Sequence, residues 1–447
     1  MDTTEILGRI WQSPDLWGDL DAICSCGGRF AGTESEAKAR AFLEQRLRDV
    51  AGAVRAHTVT YPGWTRERSR VRLLGSAQQE LPSTSLVLSP ATPPGGVEFD
   101  LVDLGRGTTD EFRALHDRIR GRAVLVRHEF PFSLTHVHRR RKYAWAKEAG
   151  AAAFLIANNL PGCGVVSGSS GRGEPDDVPA VGLSHEAGEA LRRAVEQGPA
   201  RVLLEVRATR AEATAANLIA EIPGRTDEWV VLCAHYDGHD LAESAMDNAS
   251  GVAAVLAVFR AVAPQVPQLR RGLRAIFFTV EEWGLLGSSL YLKGLSETER
   301  RQIAIAINLD TVVGGRRLSA LTSGMNDVGH FVREATATGG APVTPVSPVQ
   351  ANSDHFNFFL WGIPSFRLIA GYEDPTALTR YLLTPADSRD KVDPAELRVA
   401  AMTTAQLVLR ACAAAEPVAE HRRPEDVRRT LDMGDPWVSD RVEVRKA

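Results

Sequence analysis

Cysteine is scarce in this chain and follows no pattern. The five residues, Cys24, Cys26, Cys163, Cys233 and Cys412, are odd in number, and no CxxC pair is followed by a second. This excludes a disulfide framework and a cysteine zinc site. A basic field is missing as well: the formal net charge is -4, so nucleic acid is not an expected partner. The one local basic run, HRRRK at 138–142, is expected to be a solvated helix face. No stretch reaches the roughly 18 apolar residues of a membrane span. The opening residues MDTTEILGRI carry acids where a signal peptide needs a positive region and then an apolar one. Together these absences lead to the expectation of a cytoplasmic protein with no membrane partner. The Gly/Ser-rich stretch at 162–173 is followed by no GKS or GKT, which leaves a surface loop as its expected state rather than a phosphate cradle.

What is present is ordinary globular composition, 44% hydrophobic and 24% charged over 447 residues, enough chain for more than one domain. TESEAK at 33–38 opens a helix with capping residues, and Ala39, Phe42, Leu43, Leu47 and Val50 then repeat at helical spacing. Residues 56–84 look like short strands or connection. A strand, helix, strand alternation follows at 123–127, 140–149 and 151–157, with a further helix at 184–196. After about 211 the pattern is strongly α/β: strand-like runs at 217–222, 229–234, 273–280, 303–310 and 365–369 alternate with helical runs at 250–263, 284–295, 328–338 and 394–414. The expected fold class is α/β, a mainly parallel mixed sheet flanked by helices on both faces, with a smaller α/β or β-rich domain inserted. The expected division is 1–84 as the N-terminal part of the main domain, 85–208 as the insert, 209–415 as the main domain proper and 416–447 as a charged tail.

Ligands of such sheets gather outside the carboxyl ends of the strands. One apolar run ends at Ala234 and delivers His235 and Asp237; the next ends at Val280 and delivers Glu281 and Glu282; a third ends at Asp310. Carboxylates gathered on one edge repel and raise each other's pKa unless a cation sits among them. Imidazole with several carboxylates and no thiolate suits zinc, with manganese or cobalt as options. In the HxD spacing, alternate residues of an extended segment share a face, so Asp237 can hold the imidazole of His235 from behind. Asp247 stands where a loop enters an Ala/Val helix and can bridge two ions. Of the adjacent glutamates, one can ligate while the other accepts a proton from water.

The HYD at 235–237, DNASGV at 247–252, FFTVEEWGLLGS at 277–288, NLD at 308–310 and SDHFNF at 353–358 together resemble the zinc exopeptidase family of bacterial leucyl aminopeptidases and glutamate carboxypeptidase II. GRFAGTESE at 28–36 and TPADS at 384–388 are similar to that family's opening and closing motifs. The 85–208 unit resembles the protease-associated domain inserted in many of its members. The resemblance implies a metal-dependent amide hydrolase, an aminopeptidase or dipeptidase acting on peptides or aminoacyl amides. It implies that His235 and Asp310 bind a first zinc, Asp247 bridges, Glu282 binds a second, Glu281 is the general base and acid, and Asp237 orients His235. Asp354 and His355 would lie near the substrate. One position departs from the pattern: the family places a zinc-binding histidine directly before its closing motif, and this chain has Leu383 there. One or two zinc ions per chain therefore remain open. So do replacement of the lost ligand by His355, His239 or Tyr381, a single-zinc acyl-transfer or cyclase-like enzyme, and a non-catalytic peptide- or partner-binding relative. The sequence does not define an oligomeric state.

Overall fold

In the computed structural model, residues 3–75, 78–171, 173–338, 341–440, 442 and 444–445 are described. A mixed sheet forms the body. Its central neighbours are, in order, the strands Ser365–Ala370, Ile303–Leu309, Trp229–His235, Gly272–Phe278 and Arg201–Ile222. The first three junctions are pairwise parallel and the last is antiparallel. Every residue of Gly272–Phe278 and Ser365–Ala370 is buried, which is why these strands read as continuous apolar runs rather than alternating ones.

Helices cover both faces. Ser250–Val262 has 11 of its 13 residues buried and packs beneath the sheet with the 20-residue helix Pro394–Ala413. Each fully buried Val, Leu or Phe there contributes roughly 1.5–3 kcal/mol of burial. The segment Ala245–Val262 is long and apolar enough to cross a membrane by length and composition, contrary to the expectation from the sequence, but 83% of it is buried inside the fold. It is the central core helix. The helix Glu34–Ala51 begins at the Thr33 cap, whose hydroxyl accepts from the Glu36 amide. The region expected to be a tail contributes the helix Pro424–Met433, whose Val427 and Leu431 join the main core.

Residues 56–84 depart from expectation. Instead of short strands, Arg55–Leu74 is one 20-residue strand paired antiparallel with the 22-residue strand Arg201–Ile222 along almost its whole length. This two-stranded ribbon runs from the body into a second unit. There Val97–Asp103, Ala123–Arg127, Ala153–Ala157, Ala180–Leu183 and Ser83–Ser85 lie side by side, flanked by the helices Arg139–Glu148 and His185–Gln197. The ribbon fixes the second unit over the carboxyl edge of the body sheet.

Two expectations fail here, for one physical reason. In HRRRK the side chains of Arg139 and Lys142 are buried, 7% and 0% exposed, so the run is not a solvated face. The 162–173 stretch is a surface loop only at its start, since Ser167, Ser169 and Ser170 are buried. The two segments pack together: Arg139 Nε donates to the Ser169 carbonyl at 2.8 Å, and Arg140 Nε to the Ser169 hydroxyl at 2.7 Å. The Arg139 guanidinium lies so close over Gly168 that a β-carbon there would sit 2.2 Å from it. Lys142 is held by Glu129 at 2.6 Å and by the Arg127 carbonyl at 2.7 Å.

Candidate metal centre

The register of the sheet builds the site. Phe278 pairs with His235, and Asn308 pairs with Cys233 two residues earlier. Three neighbouring strands therefore end level with one another, and the residues leaving them, His235, Glu281 with Glu282, and Asp310, meet at one edge. The Asp247 turn comes in from the start of the core helix. His235 Nε2 is 3.1 Å from Asp247 Oδ1 and 3.7 Å from Asp310 Oδ1. Ligand atoms of His235, Asp247 and Asp310 all lie within 4.8 Å of one another, as do those of His235, Glu281 and Glu282. The centre is the floor of a pocket of about 770 Å³ whose opposite wall includes His128, His138 and Arg139 of the second unit.

Each group is held by a specific partner. His235 Nδ1 faces the Asp237 carbonyl at 3.1 Å, with the Asp237 carboxylate at 3.7 Å. That carboxylate chiefly accepts the backbone amides of Glu281, at 3.1 Å, and Glu282, at 3.3 Å. Asp237 thus fixes both glutamates as well as standing behind the imidazole. Asp310 is tightly partnered: Arg367 Nη2 donates to its Oδ1 at 2.9 Å, Thr311 Oγ1 to the same oxygen at 3.0 Å, and the Ser353 hydroxyl to Oδ2. Asp387 of the closing motif accepts from the amides of Met246, at 2.8 Å, and Asp247, at 3.3 Å. It anchors the turn that carries Asp247, a role the sequence signals only through the TPADS string.

Asp354 accepts from the Ser288 hydroxyl. His355 is fully buried with both ring nitrogens unpartnered, and its nearest charges are Arg367 and Asp310 rather than Glu282. Tyr381 holds Arg380 through its hydroxyl at 3.0 Å and carries Lys391 over its ring. Leu383 packs against both the main core and the core of the second unit, and its carbonyl accepts from Ser167. Its side chain thus seals the junction between the two units.

The electrostatics call for a cation. Burial, aided by Glu282, Asp354 and Asp310 and opposed by His235, pushes Glu281 well above the carboxylate range. Burial and the charges of Glu282 and Asp310 likewise raise Asp247, and burial pushes Asp354 up to about 7. For Asp310 burial acts upward too, but Arg367, His235 and Ser353 overcome it and hold its carboxyl well below the usual range. Asp247, Glu281, Glu282 and Asp310 thus line one pocket, and carboxylates so placed are neutralised by taking up protons or by facing a cation. Orphaned atoms point the same way: Glu282 Oε1 and both ring nitrogens of His239 are buried with no hydrogen-bond partner. This donor set of imidazole and carboxylate oxygen fits zinc.

The fold and this edge define a class, hydrolases that hold metal ions between an imidazole and several acids at the strand ends of an α/β sheet. Comparison with known proteins agrees. Residues 217–408 match the model of peptidase family M28, and residues 84–191 match the PA domain. Residues 217–408 thus form a domain of the peptidase family M28 type, and the unit at 84–191 is of the PA type. Among curated relatives, it is 26% identical over 411 residues to aminopeptidase YwaD of Bacillus subtilis, covering 91% of this chain and 84% of that protein. A probable leucine aminopeptidase 2 of Aspergillus oryzae is 29% identical over 269 residues, 56% of this chain and 51% of the relative. Among solved structures, an aminopeptidase from Aneurinibacillus sp. strain AM-1 superposes with a TM-score of 0.70 at 25% identity, covering 94% of this chain and 98% of its own. A peptidase M28 precursor from Shewanella amazonensis shares the fold with a TM-score of 0.79 at 22% identity, over 94% of this chain and 98% of its own. The family and fold expected from the sequence are those found, and the chain is a peptidase-family enzyme.

Proposed function

We propose that this chain is a zinc-dependent aminopeptidase or dipeptidase whose second metal site is altered at Leu383. The observation that carries the reading is the convergence of His235, Asp247 and Asp310 within ligand distance of one another with Glu281 in the same pocket. The names of the relatives support the aminopeptidase assignment. His235 and Asp310 would hold the first ion, Asp247 would bridge and Glu282 would serve the second position. Zinc at such ligands supplies Lewis acidity and lowers the pKa of water from about 15.7 to roughly 7.

The chain's own residues supply the rest. Glu281, whose carboxyl is raised by burial, takes the proton from the attacking water on a carboxylate oxygen and returns it to the leaving amine. Asp237 positions Glu281 and Glu282 together through their amides. The wall formed by His128, His138 and Arg139 limits water and confines the substrate. Asp354 and His355 act behind the site, shaping its charge rather than touching the scissile bond.

The experiment is metal stripping with add-back, assayed on aminoacyl p-nitroanilides. Turnover that vanishes with chelation and returns with zinc is expected. Protein that stays inert at saturating zinc contradicts the reading and leaves a binding protein in its place.

A further inference from the structure

Leu383 cannot ligate, yet an imidazole stands beside Glu282 in a position to replace the missing one. His239 is 4% exposed, and its Nε2 lies 2.7 Å from Glu282 Oε2. The contact lacks the alignment of a hydrogen bond, and Nδ1, Nε2 and Glu282 Oε1 are all without hydrogen-bond partners. A buried imidazole and a buried carboxylate that approach without donating to each other, each with polar atoms unsatisfied, are disposed like two donors facing a common third atom. The charge of Asp247 also acts on His239.

The backbone that carries His239 is fixed, as a preformed ligand requires. Its amide donates to the Ser244 hydroxyl at 2.9 Å. Arg29, fully buried, spans the loop from within: Nε donates to the Tyr236 carbonyl at 2.9 Å, Nη1 to that of Glu243 and Nη2 to that of Ser244 at 2.8 Å. Gly28 packs so tightly under the loop that a β-carbon would fall 2.0 Å from the His239 carbonyl. The opening GR of the 28–36 motif therefore locks the segment that bears this histidine. The other two substitutes are placed elsewhere: Tyr381 is engaged by Arg380 and Lys391, and His355 has Arg367 and Asp310 for charged neighbours.

We infer that His239 is the imidazole ligand of the second metal position, with Glu282 and Asp247, so that the ligand lost at Leu383 has been replaced from the loop after the first zinc-binding strand. The inference rests on the zinc-peptidase reading. It makes the enzyme a two-ion protein despite Leu383, and leaves position 383 free to pack apolar against the inserted unit.

The test is zinc binding, read independently of turnover. Metal-free wild type dialysed against zinc should hold two ions per chain. His239→Gln should hold one, with the melting transition still cooperative, while His355→Gln should still hold two. Adding Leu383→His to His239→Gln should restore the second ion. Zinc-edge X-ray absorption on loaded wild type gives a readout that needs no variant: one imidazole per zinc on average is expected, against one for every two zincs if His239 stays free. Two ions in His239→Gln, or half an imidazole per zinc in wild type, overturns the inference. One ion in a wild type that still turns over overturns it while sparing the peptidase reading; no ion at all overturns both.

Discussion

Asp237→Asn separates the positioning of the glutamates from the chemistry they perform. In the native fold the Asp237 carboxylate is 0% exposed and accepts two backbone amides, from Glu281 at 3.1 Å and Glu282 at 3.3 Å. Hydrogen bonds to a charged acceptor contribute about 1.5–3 kcal/mol each, and a buried donor left unpaired costs about 1–3 kcal/mol. Asparagine keeps one accepting oxygen and turns an amino group toward the other amide. One bond is lost and one donor is orphaned, so zinc-loaded protein should lose about 2–4 kcal/mol of unfolding free energy. Glu281 and Glu282 move together when their amides are released, so kcat should fall by roughly 10–100-fold, the usual effect of losing such a supporting partner. KM should change little. The assay is a pair of urea titrations with matched steady-state kinetics. Asp240→Asn serves as control: its carboxylate is a third exposed and pairs with Arg66, an interaction of about 0–1 kcal/mol. An Asp237→Asn protein within about 0.5 kcal/mol of wild type and within twofold in kcat would refute the reasoning, because the two amide contacts would then do nothing.

Glu281→Gln keeps size and polarity but removes the proton acceptor; turnover should drop by about 10²–10⁴ with zinc content unchanged, and retained turnover would take Glu281 out of the reaction. Arg367→Met breaks a buried pair with Asp310 at 2.9 Å and should cost about 3–5 kcal/mol in thermal or urea unfolding; a loss under 1 kcal/mol would show that Asp310 needs no such partner. Burial and the nearby Arg367 push His355 down to about 3, whereas an unfolded imidazole titrates near 6.5. The folded state therefore binds fewer protons between these values, and the stability His355 confers is present above about pH 6.5 and lost as pH falls toward 3, at up to about 1.4 kcal/mol per pH unit. In metal-free protein, His355→Leu should flatten the fall of stability between pH 6 and 4 by about that slope; an unchanged slope would mean that the imidazole is not held neutral.

The part of the site that lies on the central strands was legible because a buried parallel strand announces its own end. In CAHYD and FTVEE the apolar run stops where the acids begin, and parallel registry then sets those ends level. The capping residues around Thr33 located a helix for the same local reason. The ribbon was not legible: Arg55–Leu74 contains Pro62 and Gly63 and exposes both faces over much of its length, so neither continuous burial nor clean alternation marks it. The burial of Arg139 and Lys142 depends on the Ser169 carbonyl and on Glu129, partners separated from them by loops whose path no local pattern gives. The replacement proposed for the histidine missing at 383 is of the same kind. His239 was one of three candidates by type, and only the approach of Glu282 to 2.7 Å distinguishes it from Tyr381 and His355.

The central claim is electrostatic: these acids and imidazoles share a buried pocket because divalent ions neutralise them. Anomalous diffraction at the zinc edge, on crystals of the protein soaked in zinc, tests it most directly. A peak at ligand distance from His235, Asp247 and Asp310, with a second beside Glu282 and His239, is the result expected. A map with no zinc at these strand ends, the carboxylates of Glu281 and Asp247 paired by shared protons instead, would contradict it.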